Sequence, residues 1–246
     1  MSKYYYDFHI HTCLSPCGDQ DMTPNNIAGM ATLAGLQIVA LTDHNTCKNC
    51  PAFFEAAKKN GIIPVAGMEL TTAEDIHVVC LFETLEDAMA FDGVVDSRRV
   101  KIPNKVDVFG EQLILDGEDH VVGSDECLLS NATTIPIEEV PALVAKQGGV
   151  CFPAHVDRPA NGAIAVLGSF PDYDGFLCCE FRDKENIPEY LEKYPAIKKR
   201  KILISSDAHY LWHIRDKENF VELDDEPYSS QLVRHNLFCY LRGETS

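Results

Sequence analysis

Histidines and carboxylates recur at the ends of short apolar runs in this sequence, and their spacing is typical of metal ligands. His9 and His11 are separated by one residue, which places both imidazoles on one face of a strand, as two ligands of one ion require. Similar side chains end or follow the later runs: His44, Glu69, His77, His155, Glu180, Asp207 and His209. A lone histidine in a strand is usually packed or solvated, but this set exceeds what one four-coordinate ion needs. The pattern predicts a site for two or three divalent cations.

Apolar runs that alternate with helix-like segments would position these side chains. The runs are residues 4–10, 37–41, 62–66, 76–82, 149–152, 176–181 and 201–205. Helices are predicted between Pro24 and Gly35, between Pro51 and Gly61, and over residues 85–95, 137–147, 187–194 and 229–242. This order predicts an α/β fold of parallel strands, in which active sites lie at the carboxyl ends of the strands.

The β/α alternation stops between the fourth and fifth predicted strands. Residues 113–122 predict a hairpin around the turn Asp116-Gly117. We interpret about residues 97–134 as an insertion within a single domain that spans residues 1–246, and as a lid or a wall of the substrate site. A later acidic run, residues 222–226, is predicted to be a solvated loop.

The charge and composition of the chain restrict the molecules that it is expected to bind. The 246 residues contain 21 Lys and Arg against 38 Asp and Glu, a formal net charge of −17. This charge repels a phosphate backbone and disfavours bulk nucleic-acid binding, whereas a metal-lined pocket can accept a small phosphorylated molecule. The sequence has neither a long apolar run nor a signal peptide, so a soluble cytoplasmic protein with no membrane partner is expected. Ten irregularly spaced cysteines favour reduced thiols or metal ligands over disulfides.

The ordered motifs resemble those of the polymerase and histidinol phosphatase (PHP) family. The matching segments are His9-x-His11, Thr42-Asp43-His44, Gly67-Met68-Glu69, His77, Pro153-Ala154-His155 and Ser206-Asp207-Ala208-His209. They extend over about residues 4–210. The resemblance implies a distorted seven-stranded β/α barrel with a metal site that hydrolyses phosphoesters.

The resemblance also implies a ligand set, distributed over three ions. It assigns the first ion to His9, His11, Glu69 and Asp207, the second to Glu69 as a bridge with His77 and His155, and the third to His44 and His209. Family members with a full third site often have another histidine after the first pair, where this chain has Cys17. Either Cys17 is a ligand, since thiolate suits Zn²⁺ or Fe²⁺, or the third site is weak and His44 and His209 act as acid/base groups or phosphate donors.

The predicted reaction is the hydrolysis of a phosphoester on a small metabolite or nucleotide, by a hydroxide that bridges two Zn, Mn or Fe ions. Asp207 is expected to accept a proton, and His209 or His44 to stabilise the leaving alkoxide. Arg158 and Arg182 are candidates for binding phosphate, because the planar guanidinium suits its oxygens, although a surface arginine often pairs with a nearby acid instead.

Three other functions stay open from the sequence. Related barrels hydrolyse non-phosphate ester or amide bonds at similar sites, so such a hydrolase is the enzymatic alternative. A non-catalytic regulatory metal-binding module is the second alternative, and the near-complete ligand set argues against it. A proofreading exonuclease is the third, and the acidic composition disfavours it. The oligomeric state is not indicated by any feature of the sequence.

Overall fold

The structure, a computed structural model, describes residues 1–244. The strands in this range are β1 (Ser2–Asp7), β2 (Ile38–Leu41), β3 (Ile63–Thr71), β4 (His77–Phe82), β5 (Leu113–Leu115), β6 (Val121–Ser124), β7 (Val150–Pro153), β8 (Cys178–Phe181), β9 (Lys201–Ile204) and β10 (Phe220–Leu223). The α-helices are α1 (Pro24–Leu33), α2 (Cys50–Asn60), α3 (Leu85–Asp96), α4 (Val106–Phe109), α5 (Val140–Lys146), α6 (Ala163–Leu167), α7 (Ile187–Lys193) and α8 (Ser230–Arg242). Short 3₁₀ helices cover Ile137–Glu139, Lys184–Asn186, Pro195–Lys199 and Leu211–His213.

The main sheet has the strand order β10-β1-β2-β3-β4-β7, and β8 and β9 form a separate parallel pair. Strands β1, β2 and β3 are parallel, whereas β4 is antiparallel to both β3 and β7. The segment 72–76 between β3 and β4 is too short for a parallel crossover, so the chain must turn back. Single-residue bridges Ile10–Ala208 and Cys151–Phe176 link the sheet to the β8–β9 pair. The α/β class is confirmed, with the sheet curled into a half-barrel, and the seven-strand count stays a prediction.

The helix ends follow the local signals in the sequence. The Thr23 side chain accepts a hydrogen bond from the Asn26 backbone and caps α1, whose first residue is Pro24. Helix α2 ends at Gly61, which has a φ of 71° that other residues rarely adopt. The helices run back along the sheet from these caps, and so hold the carboxyl ends of β1 and β2 in fixed positions.

Strands β2 and β3 are buried along their whole length, because both faces of the sheet are covered. Along β2, Val39 and Leu41 pack in the hydrophobic cluster that includes side chains of α1 and α2. Ile38 and Ala40 point the other way, into a second cluster closed by α8. This packing on both faces makes the strands a rigid support for the loops that follow them.

The sequence predicted the structure of two segments outside the β/α alternation. The predicted hairpin is present, with β5 and β6 paired antiparallel on either side of Asp116-Gly117. The predicted loop over residues 222–226 is wrong at its start, where Glu222 and Leu223 belong to β10 and pair with β1. Val221 and Leu223 are buried and alternate with exposed neighbours, which is the pattern of a half-buried strand. Within residues 1–244, none of the helices is long and apolar enough to cross a membrane.

Candidate metal centre

The predicted ligands come together at one edge of the curled sheet. His9 and His11 follow β1, His44 follows β2, and Glu69 lies in β3. His155 follows β7, and Asp207 and His209 follow β9. His77 is the first residue of β4, and the antiparallel direction of β4 places that residue at the same edge as the end of β3.

Three groups of side chains have their ligand atoms within 4.8 Å of one another: His9, His11, Glu69 and Asp207; His44, Glu69 and His77; and His11, Cys17, His44 and His209. The first group has the composition that the resemblance implied for one ion. The second shares Glu69 with the first, and the third contains Cys17. Three neighbouring sets of donors are therefore built around shared residues.

Glu69 is the centre of this arrangement. Its Oε1 lies 2.9 Å from His77 Nδ1, 3.0 Å from His155 Nε2 and 3.3 Å from His9 Nε2. Its Oε2 lies 3.3 Å from His11 Nε2 and 3.2 Å from His44 Nδ1. Five imidazoles thus surround one buried carboxylate, whose two oxygens face different groups of ligands.

Two hydrogen-bond chains orient the first pair of histidines. Asp43 accepts a hydrogen bond of 2.7 Å from Ser15 Oγ, and Ser15 Oγ lies 3.0 Å from His11 Nδ1. Because the Ser15 hydrogen is directed to Asp43, His11 Nδ1 is the donor and its Nε2 keeps a free lone pair. On the other side, His9 Nδ1 donates to Glu180 Oε1 over 2.9 Å, which leaves His9 Nε2 free in the same way. Such carboxylate partners are typical of metal-bound histidines.

The donor set fits divalent cations. The Nε2 atoms of His9 and His11 lie only 3.1 Å apart, and two facing lone pairs at this distance need a cation or a proton between them. Asp207 Oδ1 and His44 Nδ1 are buried without a hydrogen-bond partner in the described part of the chain. Buried polar atoms are nearly always paired, so these two atoms fit a site for a cation. Imidazole and carboxylate donors suit Zn²⁺, Mn²⁺ and Fe²⁺.

The two carboxylates are held in their charged form. Burial raises the pKa of Glu69, but interactions with the neighbouring imidazoles of His77 and His9 outweigh it and bring that pKa well below its ordinary value. Burial likewise opposes ionisation of Asp207, and interactions with the His9 and His11 imidazoles outweigh it and lower its pKa strongly. Both side chains therefore offer anionic oxygens at neutral pH.

His44 and His209, the two histidines assigned to the third ion, are held in their neutral form. Burial lowers the pKa of His44 well below its ordinary value, and it lowers the pKa of His209 to about 4, helped by the nearby His11. Both rings are neutral at pH 7, which is the form that binds a metal ion. The Nδ1 of His209 lies 2.8 Å from the Asp207 carbonyl oxygen and donates to it, so its Nε2 is available.

A model of the PHP domain matches residues 7–234, which is most of the chain. The chain belongs to the PHP domain family. PHP domains are metal-dependent phosphoesterases of the hydrolase class, and the buried histidine and carboxylate groups are where this chain can bind the metal.

Known proteins with similar sequence or fold include a DNA polymerase, a DNA endonuclease and a metal-dependent phosphoesterase. A PolC-type DNA polymerase III of Thermotoga petrophila is 37% identical over 75 residues, which is 30% of this chain and 5% of the polymerase. A lesion-specific endonuclease of Pyrococcus furiosus shares the fold with a TM-score of 0.67 and 17% identity, over 100% of this chain and 57% of that one. A Bifidobacterium adolescentis protein assigned as a metal-dependent phosphoesterase has a TM-score of 0.56 and 22% identity, over 83% of this chain and 87% of that one. The matched segments cover 48% or less of the curated relatives.

The PHP site opens into a cleft of about 240 Å³. The residues that line it are Cys17, His44, Glu69, His77, Ser130, Arg158, Asn161, Asp207 and His209. Arg158 Nη1 lies 2.6 Å from Asp207 Oδ2, so this predicted phosphate ligand is at the mouth of the site. Arg182 is less central: its backbone N–H donates to Asp157, and its side chain is outside the lining set.

Several contributors to the PHP site were not assigned a role from the sequence. Ser130 and Asn161 line the cleft, although neither is near a ligand motif in the chain. Glu180 holds His9 and also accepts a hydrogen bond of 3.0 Å from the His155 backbone. Its position at the end of an apolar run was the one available signal, whereas Ser130 and Asn161 had none.

Backbone strain is concentrated at this PHP site. His155 and Asp207 have φ angles of 28° and 52°, in the left-handed region that favours glycine. Such conformations cost on the order of 1–3 kcal/mol each and persist where the surroundings impose them. In these conformations His155 Nε2 lies 3.0 Å from Glu69 Oε1, and Asp207 Oδ1 lies 3.4 Å from His11 Nε2.

Proposed function

We propose that this PHP domain hydrolyses phosphoester bonds at the edge of its sheet, on a small phosphorylated metabolite or a nucleotide. The observation that carries the proposal is the position of Glu69. It is a buried carboxylate whose two oxygens face separate groups of histidines. In the proposed site, His9, His11, Glu69 and Asp207 hold one ion, and Glu69, His77 and His155 hold another. When bound, the cations supply Lewis-acid stabilisation of the phosphoryl oxygens and lower the pKa of water.

The side chains around these ligands have separate proposed tasks. Asp207 is proposed to accept the proton of the attacking water, because it lines the cleft beside Arg158. Arg158 is 34% exposed beside Asp207 and contacts a phosphate oxygen of the substrate. Arg182 is proposed as a second, more distant contact for the substrate. The neutral rings of His44 and His209 face the cleft, where they stabilise the leaving oxygen directly or bind a third ion.

Cys17 is proposed as a ligand in the third group. Its thiol is within 4.8 Å of the nitrogens of His11, His44 and His209, and it lines the cleft. Loading with Co²⁺ tests this, because a bound thiolate adds a near-ultraviolet charge-transfer absorption that imidazole and carboxylate do not. We expect this absorption in the natural protein and its loss in Cys17→Ser, with Cys239→Ser as the control for a cysteine outside the site. Equal spectra for all three proteins would exclude Cys17 as a ligand.

A second candidate is the cleavage of phosphodiester bonds in nucleic acid. It is supported by the segment shared with a PolC-type DNA polymerase III and by the fold shared with a lesion-specific DNA endonuclease. The net charge of −17 argues against a long nucleic-acid footprint, so a chain end or a single nucleotide is the more suitable substrate. The ten free cysteines support a reducing, cytoplasmic setting, which we also propose.

The deciding experiment measures hydrolysis by protein loaded in turn with Mn²⁺, Zn²⁺ and anaerobic Fe²⁺, with the metal content verified. The substrates are a panel of phosphomonoesters and nucleotides, a phosphodiester and single-stranded DNA, together with a carboxylic ester and an amide. We expect chelator-sensitive turnover of a phosphoester, with competition by inorganic phosphate. Turnover of only the carboxylic ester or the amide would support the other hydrolase, and no turnover with ions bound would support a regulatory module.

A further inference from the structure

An exposed aromatic pair lies directly beyond the last predicted ligand. Trp212, the one tryptophan of the sequence, is 72% exposed, although it follows His209 by only three residues. Its ring is stacked on that of Tyr210, with centroids 4.8 Å apart and an interplanar angle of 25°. His213 meets both rings edge-on, at 5.1 and 6.0 Å. One broad face of Trp212 is thus supported by Tyr210 while most of its surface remains accessible.

The segment that presents this pair is held at both ends. The His209 carbonyl oxygen accepts a hydrogen bond of 2.9 Å from the Asp19 backbone, and the Lys217 N–H donates to the Ala34 carbonyl oxygen over 2.9 Å. Between these points, Leu211 packs against the main hydrophobic cluster while Trp212 in the same 3₁₀ helix faces outward. The rings are therefore set in place before any ligand binds, which reduces the entropy lost on binding.

The position of the pair matches a substrate that carries a flat ring near its phosphate. Three residues span at most ~11 Å, so the Trp212 backbone is within that distance of the His209 backbone, and the two rings lie beyond the residues that line the cleft. The residues just beyond the pair are balanced in charge, with Arg215 and Lys217 against Asp216 and Glu218. An accessible aromatic ring supported by a second ring is the surface on which nucleobases stack.

We propose that Tyr210 and Trp212 form a stacking platform for the nucleobase next to the phosphate that is hydrolysed. This proposal rests on the proposed phosphoesterase function and narrows its substrate to nucleobase-containing phosphoesters. Stacking on an aromatic side chain contributes enough to change affinity by about tenfold or more per base. The nucleobase belongs either to a mononucleotide or to the end of a single strand, and both present the same ring.

The first test measures binding and does not depend on turnover. Trp212 is the only tryptophan, so its fluorescence reports directly on the platform. The metal-loaded protein is titrated with a nucleoside 5′-phosphonate, whose carbon–phosphorus bond resists hydrolysis, with ribose 5-phosphonate as the control. We expect quenching and a blue or red shift with the nucleoside compound only. Unchanged fluorescence with both compounds at saturation of the phosphate site, measured by competition, would overturn the platform.

The second test uses variants and kinetics. Trp212→Ala is expected to raise the KM for a nucleoside monophosphate about tenfold, to leave kcat nearly unchanged and to leave the KM for ribose 5-phosphate unaltered. Trp212→Phe, which keeps a ring, is expected to retain most of the affinity, and Tyr228→Ala removes another exposed aromatic residue as the control. If Trp212→Ala raised the KM equally for the nucleoside monophosphate and for ribose 5-phosphate, the role of Trp212 would be structural and the proposal would be contradicted.

The two proposals fail in different ways. If no phosphoester is hydrolysed but the nucleoside phosphonate quenches Trp212, the phosphoesterase function is wrong, and Trp212 binds a nucleobase at a site that does not hydrolyse the phosphate. If hydrolysis occurs with equal efficiency on sugar phosphates and nucleotides in natural protein and Trp212→Ala alike, the platform is wrong. An oligonucleotide that quenches at lower concentration than the mononucleotide analogue would identify the single-stranded end as the source of the base.

Discussion

At the scale of single residues, the site depends on charge pairing at Glu69. This carboxylate is 1% exposed and is surrounded by five imidazoles, so its charge is compensated by neighbours rather than by water. Removing Glu69 would leave five imidazoles without the buried carboxylate that they share and would be strongly destabilising. Variants that remove one histidine but keep Glu69 are therefore the cleaner probes of ion binding.

His77 offers such a probe. We expect His77→Ala to lose one metal equivalent and to reduce turnover by at least a hundredfold, because its Nδ1 lies 2.9 Å from Glu69 at the second group of ligands. Metal content by elemental analysis and turnover are measured on the same sample. His120→Ala, which removes a 77% exposed histidine of the β5–β6 hairpin, is the control. Full metal content in His77→Ala would remove His77 from the site.

Arg158 is the residue best placed to bind phosphate. We expect Arg158→Ala to raise the KM roughly tenfold, with a smaller effect on kcat, because a charge-assisted hydrogen bond to the substrate is lost. Arg158→Lys should recover only part of the affinity, since an ammonium lacks the planar fork. Steady-state kinetics of both variants are compared with Arg98→Ala, a surface arginine paired with Glu139. An unchanged KM would show that the pair with Asp207 is structural.

At the scale of elements, the segment 97–134 is tied to the loops that carry the ligands. The Asn45 amide, just after His44, donates to the carbonyl oxygens of Leu129 and Asn131 at 2.7 and 3.0 Å. Ser130 lies between these two acceptors and lines the cleft. We therefore interpret this part of the segment as a fixed wall of the site rather than as a moving lid.

Asp125 and Arg99 of this segment form a cluster of charged side chains with Lys48. This cluster makes the stability of the protein depend on pH. Burial raises the pKa of Asp125, but Arg99 and Lys48 outweigh it and lower that pKa to about 2. Because the pKa in the folded state is below the unfolded value of about 3.9, the stabilisation is present above pH 4 and is lost as the pH falls from about 4 to 2. Its size is on the order of 2 kcal/mol.

Urea unfolding between pH 2 and pH 6 checks this contribution. The free energy of unfolding of the natural protein should fall more steeply with decreasing pH than that of Asp125→Asn, and the two should converge at low pH. Asp174→Asn, at an exposed aspartate, serves as the matched control. Parallel curves for the natural protein and Asp125→Asn would show that the cluster with Arg99 contributes nothing to stability.

At the scale of the whole molecule, the site concentrates negative charge in an already acidic protein. Glu69, Asp207, Glu180, Asp43 and Asp7 are all buried near the same edge of the sheet. Burying this many carboxylates is costly unless cations neutralise them. Metal binding should therefore stabilise the entire fold, since the ligands come from segments distributed along most of the chain.

Metal removal tests this coupling. We expect a chelator to lower the Tm and a return of Zn²⁺ or Mn²⁺ to restore it, with a gain of about 2.7 kcal/mol at a free-ion concentration one hundred times the Kd. Calorimetry measures both states. His77→Ala should show a smaller shift than the natural protein, whereas His120→Ala should behave normally. A Tm that is identical with and without metal would contradict the coupling between the site and the fold.

The sequence by itself determined the α/β class, the positions of most helices and strands along the chain and the types of residue at the strand ends. These features are local: the alternation of apolar runs with capped helices defines the elements, and the spacing of His9 and His11 follows from the geometry of a strand. The tertiary structure decided which side chains meet. The reversal of β4 beside β3 brings His77 to Glu69, and Glu180 reaches His9 from a distant part of the chain. Ser130 and Trp212 gained their positions from packing between segments far apart in sequence, because contacts between such segments leave no periodic signal in either one.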